Sequence, residues 1–114
     1  MDLNLKQYLE TALWSSYADD GEPLDVNYSI EDISEETVSK AAKDWKAFIG
    51  KCGNILEDLD LSDVAHDFWL TRNRHGAGFW DGDYEKNLGE KLTEIAHAFG
   101  EVDLYVGDDN KIYS

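Results

Sequence analysis

Residues 66–81 read HDFWLTRNRHGAGFWD, and the fold class predicted for the chain depends on this stretch. The runs 68–71 and 78–81 are rich in aromatic and other strand-forming residues. Residues 72–77 lie between the two runs and contain Gly76, as a connecting loop would. We therefore predict a β-hairpin at the centre of the chain.

Helical patterns flank this stretch on both sides. Apolar residues recur at helical spacing over residues 4–17, 38–56 and 84–99, and each run predicts a helix. The tail, residues 104–113, has the pattern of a second hairpin with a turn at 107–110. The order helices, hairpin, helix, hairpin predicts a single α+β domain over residues 1–114. About three main helices would pack on a small antiparallel sheet made of two hairpins.

Local signals set the expected ends of these elements. Asn4 and Ser34 are the predicted N-caps of the first and second helices, and Ser62 is expected to cap a single further turn. We expect the second helix to be one long helix, with a bend or a break near Gly50 as the alternative. Asn110 is expected to take the left-handed conformation in the last turn.

The chain is very acidic, with 25 acidic and 10 basic residues and a net charge of −15. Such a charge excludes direct nucleic-acid binding through the overall field, because phosphates would be repelled. No apolar run is long enough to span a membrane and no leader pattern opens the chain, so we expect a cytoplasmic protein without membrane contacts. The single cysteine, Cys52, lies on the apolar face of the second helix and predicts a buried, inert thiol.

The acidic residues are concentrated in a few stretches. Residues 7–39 contain no lysine or arginine. A charge of −15 corresponds to that of roughly 25 Å of DNA duplex, and a compact chain of this length is about 34 Å across. The acidity therefore suggests a protein partner with a basic nucleic-acid-binding surface, although acidity serving only solubility remains the alternative. The acids predicted to contact that partner are Asp19, Asp20, Glu22, Asp25, Glu31, Asp32, Glu35 and Glu36.

A different kind of site is the alternative hypothesis. If the central hairpin closes, six polar residues converge, with His75 as a general base and the two arginines holding an anion. The opposing interpretation is a hairpin loop whose arginines pair with nearby acids. No spacing typical of a metal site, a nucleophile or a phosphate loop accompanies these residues, so we expect no catalytic residue, metal or cofactor. The six residues are His66, Asp67, Arg72, Arg74, His75 and Asp81.

The sequence also resembles a family of uncharacterised small acidic proteins of tailed phages and prophages. The resemblance rests on ETALWSS at 10–16, GEPLD at 21–25, HDFWLTRN at 66–73, HGAGFWD at 75–81 and LYVGDD at 104–109. The chain departs from the family pattern at Arg74 and Asn110, where glycine is expected, and at Gly82, where arginine is expected.

This resemblance implies an accessory phage function in the cytoplasm of a bacterial host and carries over no catalytic residue. By analogy with similar phage proteins, it favours inhibition of a host nucleic-acid-processing or defence enzyme, with DNA mimicry as the mechanism. A phage structural or assembly component is a further alternative. The oligomeric state is left open.

Overall fold

The computed structural model describes residues 1–75, 77–80 and 84–114. Within these residues the chain forms four α-helices and one two-stranded antiparallel sheet. The helices are α1 (Leu3–Ser15), α2 (Glu35–Cys52), α3 (Leu61–Arg72) and α4 (Lys86–His97), and the strands are β1 (Tyr105–Val106) and β2 (Ile112–Tyr113). Single 3-10 turns lie at Leu24–Val26, Ile30–Asp32 and Gly53–Leu56. The protein is therefore mostly helical with a small sheet, which is compatible with the predicted α+β class.

The prediction of a central hairpin is wrong, because residues 68–71 belong to α3. Asp60 caps this helix by accepting a hydrogen bond from the backbone N–H of Ser62, at 2.8 Å. Eight of its twelve residues are buried, so tertiary packing overrides the strand propensity of the aromatic run. Ser62 thus lies inside a full helix and does not begin a single turn. The predictions of three main helices and of a sheet made of two hairpins are therefore both wrong, because α3 is a fourth helix and the described sheet has two strands.

Residues 78–80, predicted as part of the second strand, fold back onto α3. The backbone N–H of Phe79 donates a hydrogen bond to Thr71 Oγ1 at 3.1 Å, and the Phe79 ring is buried. Its neighbour Trp80 is exposed. Residues 78–80 therefore contribute one core side chain through a turn, where the sequence suggested a strand.

The other predicted elements are close to those observed. Ser34 caps α2 as predicted, with its Oγ accepting from the Thr37 N–H at 3.1 Å. The helix continues through Gly50 without a break and ends at Cys52, before a glycine with a positive φ of 57°. α1 begins slightly earlier than predicted because Asp2, and not Asn4, provides the cap.

An aromatic cluster forms the centre of the core. The rings of Phe48 and Phe68 stack with centroids 4.1 Å apart, which joins α2 to α3. Phe99 meets the Phe68 ring edge-on at 5.3 Å, and Phe79 stacks on Phe48 at 5.9 Å. Tyr8 brings α1 into the same cluster through a contact with Phe68 at 5.5 Å. One continuous set of rings therefore joins α1, α2 and α3 to the residues on either side of α4, in arrangements that aromatic pairs favour.

The terminal hairpin is confirmed and it contacts the rest of the fold. β1 and β2 pair in antiparallel register, and Asn110 in the turn has the predicted left-handed φ of 63°. Ile112 is fully buried and forms a parallel bridge with Ile33, while its carbonyl accepts from the Ser34 N–H at 2.9 Å. The hairpin thereby positions the start of α2.

Candidate functional site

The acidic residues predicted to contact a partner lie on the segment 18–36, between α1 and the first turn of α2. All are exposed except Asp32, which is half-buried. The segment has little regular structure, but its backbone is fixed. Leu24 and Ile33 are buried, and the Leu24 N–H donates to the Ser16 carbonyl at 2.9 Å. The carboxylates are therefore displayed from a backbone that is anchored in the core.

Some of these acids also stabilise the segment itself. Asp20 accepts a hydrogen bond from the Glu22 N–H at 3.0 Å, and Asp32 accepts one from the Ser29 N–H at 2.9 Å. Glu35 and Glu36 lie in the first turn of α2, where the helix dipole favours anions. These four carboxylates therefore stabilise the local backbone conformation.

The remaining four acids make no comparable stabilising contact among the described residues. No hydrogen bond or ion pair described for this chain uses the carboxylates of Asp19, Glu22, Asp25 or Glu31. Over the whole described part, the ion pairs are Lys6–Glu10, Lys40–Glu36 and Arg72–Asp44. The first two are long, at 3.9 Å, and exposed, so they contribute little. Most of the negative charge on segment 18–36 is therefore open to solvent.

The dimensions of the molecule set the density of this charge. The Cα atoms extend over 43 × 26 × 21 Å, so the long axis exceeds the diameter estimated from chain length. Fifteen net charges over 43 Å give about one charge per 2.9 Å, compared with about one per 1.7 Å of duplex DNA. The mean charge density is thus roughly 60 % of that of DNA, lower than the sequence estimate.

A surface groove next to this segment was not predicted from the sequence. It has a volume of about 690 Å³ and is lined by the aromatic rings of Trp14 and Tyr28 and by the acids Glu10, Asp25 and Glu31. Trp14 is 43 % exposed although it lies in α1. The sequence signal for it was the position of Trp14 outside the apolar stripe of α1, where a large ring is unusual.

The five residues of the alternative site that the structure describes do not form one cluster. His66 and Asp67 line a cleft of about 570 Å³ beside α3, together with Asp60 and Asp63. His66 Nδ1 lies 2.9 Å from Thr11 Oγ1, and the Tyr84 hydroxyl donates to Asp67 at 2.6 Å. The side chains of His66 and Asp67 are thus both hydrogen-bonded within the protein.

Arg72 points into the core and not toward this cleft. It is 3 % exposed and donates to the carbonyls of Phe99 and Gly100 at 3.1 and 2.9 Å. Its Nη1 also donates to the Tyr8 hydroxyl at 3.0 Å and to Asp44 at 2.8 Å. Because the guanidinium is enclosed and already paired with a carboxylate, it offers no open position for an external anion.

Arg74 and His75 do not line the cleft that contains His66 and Asp67. Arg74 is exposed and has a positive φ of 57°, in the conformation that glycine adopts most easily. His75 is half-buried in a shallow depression near Ser16 and Asp103, on a part of the surface away from His66. Asp81 lies outside the described residues. The first strand of the hairpin that would have joined these groups is part of α3.

The thiol predicted to be inert is buried, as expected. Burial raises the pKa of Cys52 to about 11, against a smaller opposing effect from the charge of Lys91. At neutral pH the group is therefore a protonated thiol, which is a poor nucleophile.

The residues that the structure describes contain no group of three or more histidine, cysteine or acidic side chains placed to hold a metal ion. None of the helices in this part of the chain has both the length and the apolar character needed to cross a bilayer. Comparison with known proteins found no matching family model, no matching curated protein and no matching solved structure.

Proposed function

We propose that this protein is a phage-encoded inhibitor that binds a host nucleic-acid-processing or defence enzyme on its basic nucleic-acid-binding surface, in the cytoplasm of the bacterial host. The observation that carries the proposal is the solvent-exposed, largely unpaired set of carboxylates on the anchored segment 18–36. The phage origin rests on the sequence resemblance.

The physical basis of such binding is the replacement of phosphates by carboxylates. Lysine and arginine side chains of the partner would form charge-assisted hydrogen bonds with the acids of segment 18–36. The overall charge of −15 would accelerate encounter at low ionic strength. A charge density below that of DNA means that mimicry would depend on where the carboxylates lie, in addition to the total charge.

The first experiment identifies the partner. Immobilised protein is incubated with host lysate at low salt, and bound proteins are eluted with a salt gradient and identified by mass spectrometry. We expect one nuclease, repair or defence enzyme that is released by salt and displaced by duplex DNA. Recovery of no such enzyme would contradict the proposal, and recovery of virion proteins would favour an assembly role.

The second experiment separates the position of the acids from their number. The triple variant Asp19→Lys, Glu22→Lys and Glu35→Lys changes the net charge from −15 to −9. We expect it to weaken partner binding by about tenfold or more, because three attractions become repulsions.

A matched control variant carries the same change of charge elsewhere. Glu90→Lys, Glu94→Lys and Asp103→Lys also give −9, at exposed positions on α4 and the loop that follows it. We expect this variant to bind within about threefold of the unmodified protein, since only the long-range field changes. Equal losses in both triple variants would show that only the total charge matters, and no loss in either would refute the proposal.

A further inference from the structure

We infer that the groove beside α1, defined by Trp14, Tyr28, Glu10, Asp25 and Glu31, receives an arginine side chain from a basic segment of the protein partner. This inference rests on the proposed function and adds to it a binding position and a recognised residue. It starts from a feature that acidity alone does not explain, namely an aromatic ring left exposed within an acidic groove.

The chemistry of the lining selects the occupant. Aromatic faces and carboxylates together favour a planar cation with apolar character, and arginine stacks on indole rings while its donors pair with carboxylates. Lys6, which lies 3.9 Å from Glu10, and Met1, which carries the terminal ammonium, also line the groove, so three acids face two basic groups there. The groove is therefore complementary in charge to a basic segment. Its volume of about 690 Å³ lies within the range of side-chain and ligand pockets.

Trp14 is held in place before any partner binds. Its ring stacks on the imidazole of His66, with centroids 5.7 Å apart and planes inclined by 30°. His66 is in turn hydrogen-bonded to Thr11, which is fully buried one turn earlier on α1. A ring that is already ordered loses little conformational entropy on binding, and this property is typical of residues that dominate interfaces.

The test uses a synthetic 12-residue peptide that contains four arginines separated by leucine and alanine, and an otherwise identical peptide with citrulline in place of arginine. The ¹⁵N-labelled full chain is titrated with each peptide at low salt, and the tryptophan indole N–H signals are followed. Trp80 is the comparison signal, because it is 45 % exposed and lines a different groove, together with Glu90 and Glu94. We expect a saturable shift of the Trp14 signal with the arginine peptide only, and an unmoved Trp80 signal.

Variants then measure the contribution of the groove. We expect Trp14→Ala to weaken binding of the arginine peptide by about tenfold, and Trp80→Ala to leave it within about twofold. The triple variant Glu10→Gln, Asp25→Asn and Glu31→Gln keeps the side-chain shapes and should also lose about tenfold. No saturable Trp14 shift, a citrulline peptide that binds equally well, or equal affinity of the two tryptophan variants would overturn the inference.

These outcomes are separable from those of the proposed function. If a salt-sensitive host enzyme is captured but the peptide does not localise to Trp14, the groove inference fails and the proposed function stands. If the peptide saturates the groove but no such enzyme is captured, the proposed function fails and the groove stands as an arginine-binding site.

Discussion

Replacement of Arg72 by methionine tests whether this buried residue stabilises the fold. Methionine is also long and unbranched, so much of the packing against Phe68 and Phe99 is retained. The lost interactions are the charge, the hydrogen bonds and the two cation–π contacts, in which the guanidinium carbon lies 5.3 Å and 5.8 Å from the centroids of these rings. The variant leaves four acceptors without their donor, on Tyr8, Asp44 and the carbonyls that follow α4.

The expected loss of stability follows from the burial of these acceptors. Removing one member of a buried ion pair typically costs about 3–5 kcal/mol. The side chain of Asp44 is 42 % exposed, so water can solvate its carboxylate in the variant, and we expect the lower part of that range, about 3 kcal/mol. A chain of this length has a free energy of unfolding of about 11 kcal/mol at roughly 0.1 kcal/mol per residue. The substitution should therefore remove about a quarter of the stability.

Urea unfolding followed by circular dichroism at 222 nm measures this loss by linear extrapolation. Two milder variants provide the scale. Tyr8→Phe removes one hydrogen bond and should cost about 1 kcal/mol, and Asp44→Asn keeps an acceptor and should cost about 1–2 kcal/mol. A loss below about 1 kcal/mol for Arg72→Met, or a larger loss for Asp44→Asn, would refute the view that Arg72 is a structural junction.

Three further predictions concern local geometry and pH. Gly89→Ala should lower the free energy of unfolding by about 1–3 kcal/mol, because the new Cβ would lie 2.5 Å from the Phe79 carbonyl oxygen. Gly50→Ala should raise the free energy of unfolding by up to about 1 kcal/mol, because the new Cβ would meet no neighbouring side chain or loop within 4 Å. Changes of the same sign in the Gly89 and Gly50 variants would contradict this reasoning. Burial raises the pKa of Tyr8 to about 12 from its usual 10.0, so the free energy of unfolding measured in urea should fall as the pH rises from about 10 toward 12. An equally steep fall in the Tyr8→Phe variant would show that Tyr8 is not the group responsible. Arg74→Gly should raise the melting temperature slightly, because relief of left-handed strain exceeds the entropy cost of glycine by roughly 0.5 kcal/mol, and a lower melting temperature would contradict it.

The sequence predicted α1, α2 and α4 because each has an apolar stripe on one face and a polar surface on the other. It failed at α3, which is enclosed on most sides: of residues 64–72 only His66 is not buried, so the apolar residues do not mark a single face. A usable signal was present. Asp60 is a cap residue, and Leu61, Val64, Ala65 and Phe68 follow at helical spacing. The strand propensity of the aromatic run concealed this pattern.

For the candidate sites, too, local features could be predicted from the sequence, whereas contacts between distant segments could not. Surface exposure of most acids on segment 18–36 could be expected from their charge, since isolated carboxylates are rarely buried. The same rule gave the wrong expectation for Arg72, which is buried. Its burial depends on partners from α1, from α2 and from the residues after α4, and no local pattern reveals these contacts. The groove likewise depends on two segments, at Trp14 and at residues 25–31, that meet only in the folded chain.

The bridge between Ile33 and Ile112 has a consequence for the order of folding. The two residues are 79 positions apart in a chain of 114, so the entropy of closing this contact is larger than for the contacts between neighbouring helices. Helices α1 to α4 can assemble before it forms, whereas the backbone at Ser34 obtains its hydrogen bond to Ile112 only when the terminal hairpin docks. The end of segment 18–36 next to Ser34 thus reaches its final position late in folding. A partner that reads the arrangement of these carboxylates would distinguish the finished protein from a partly folded intermediate.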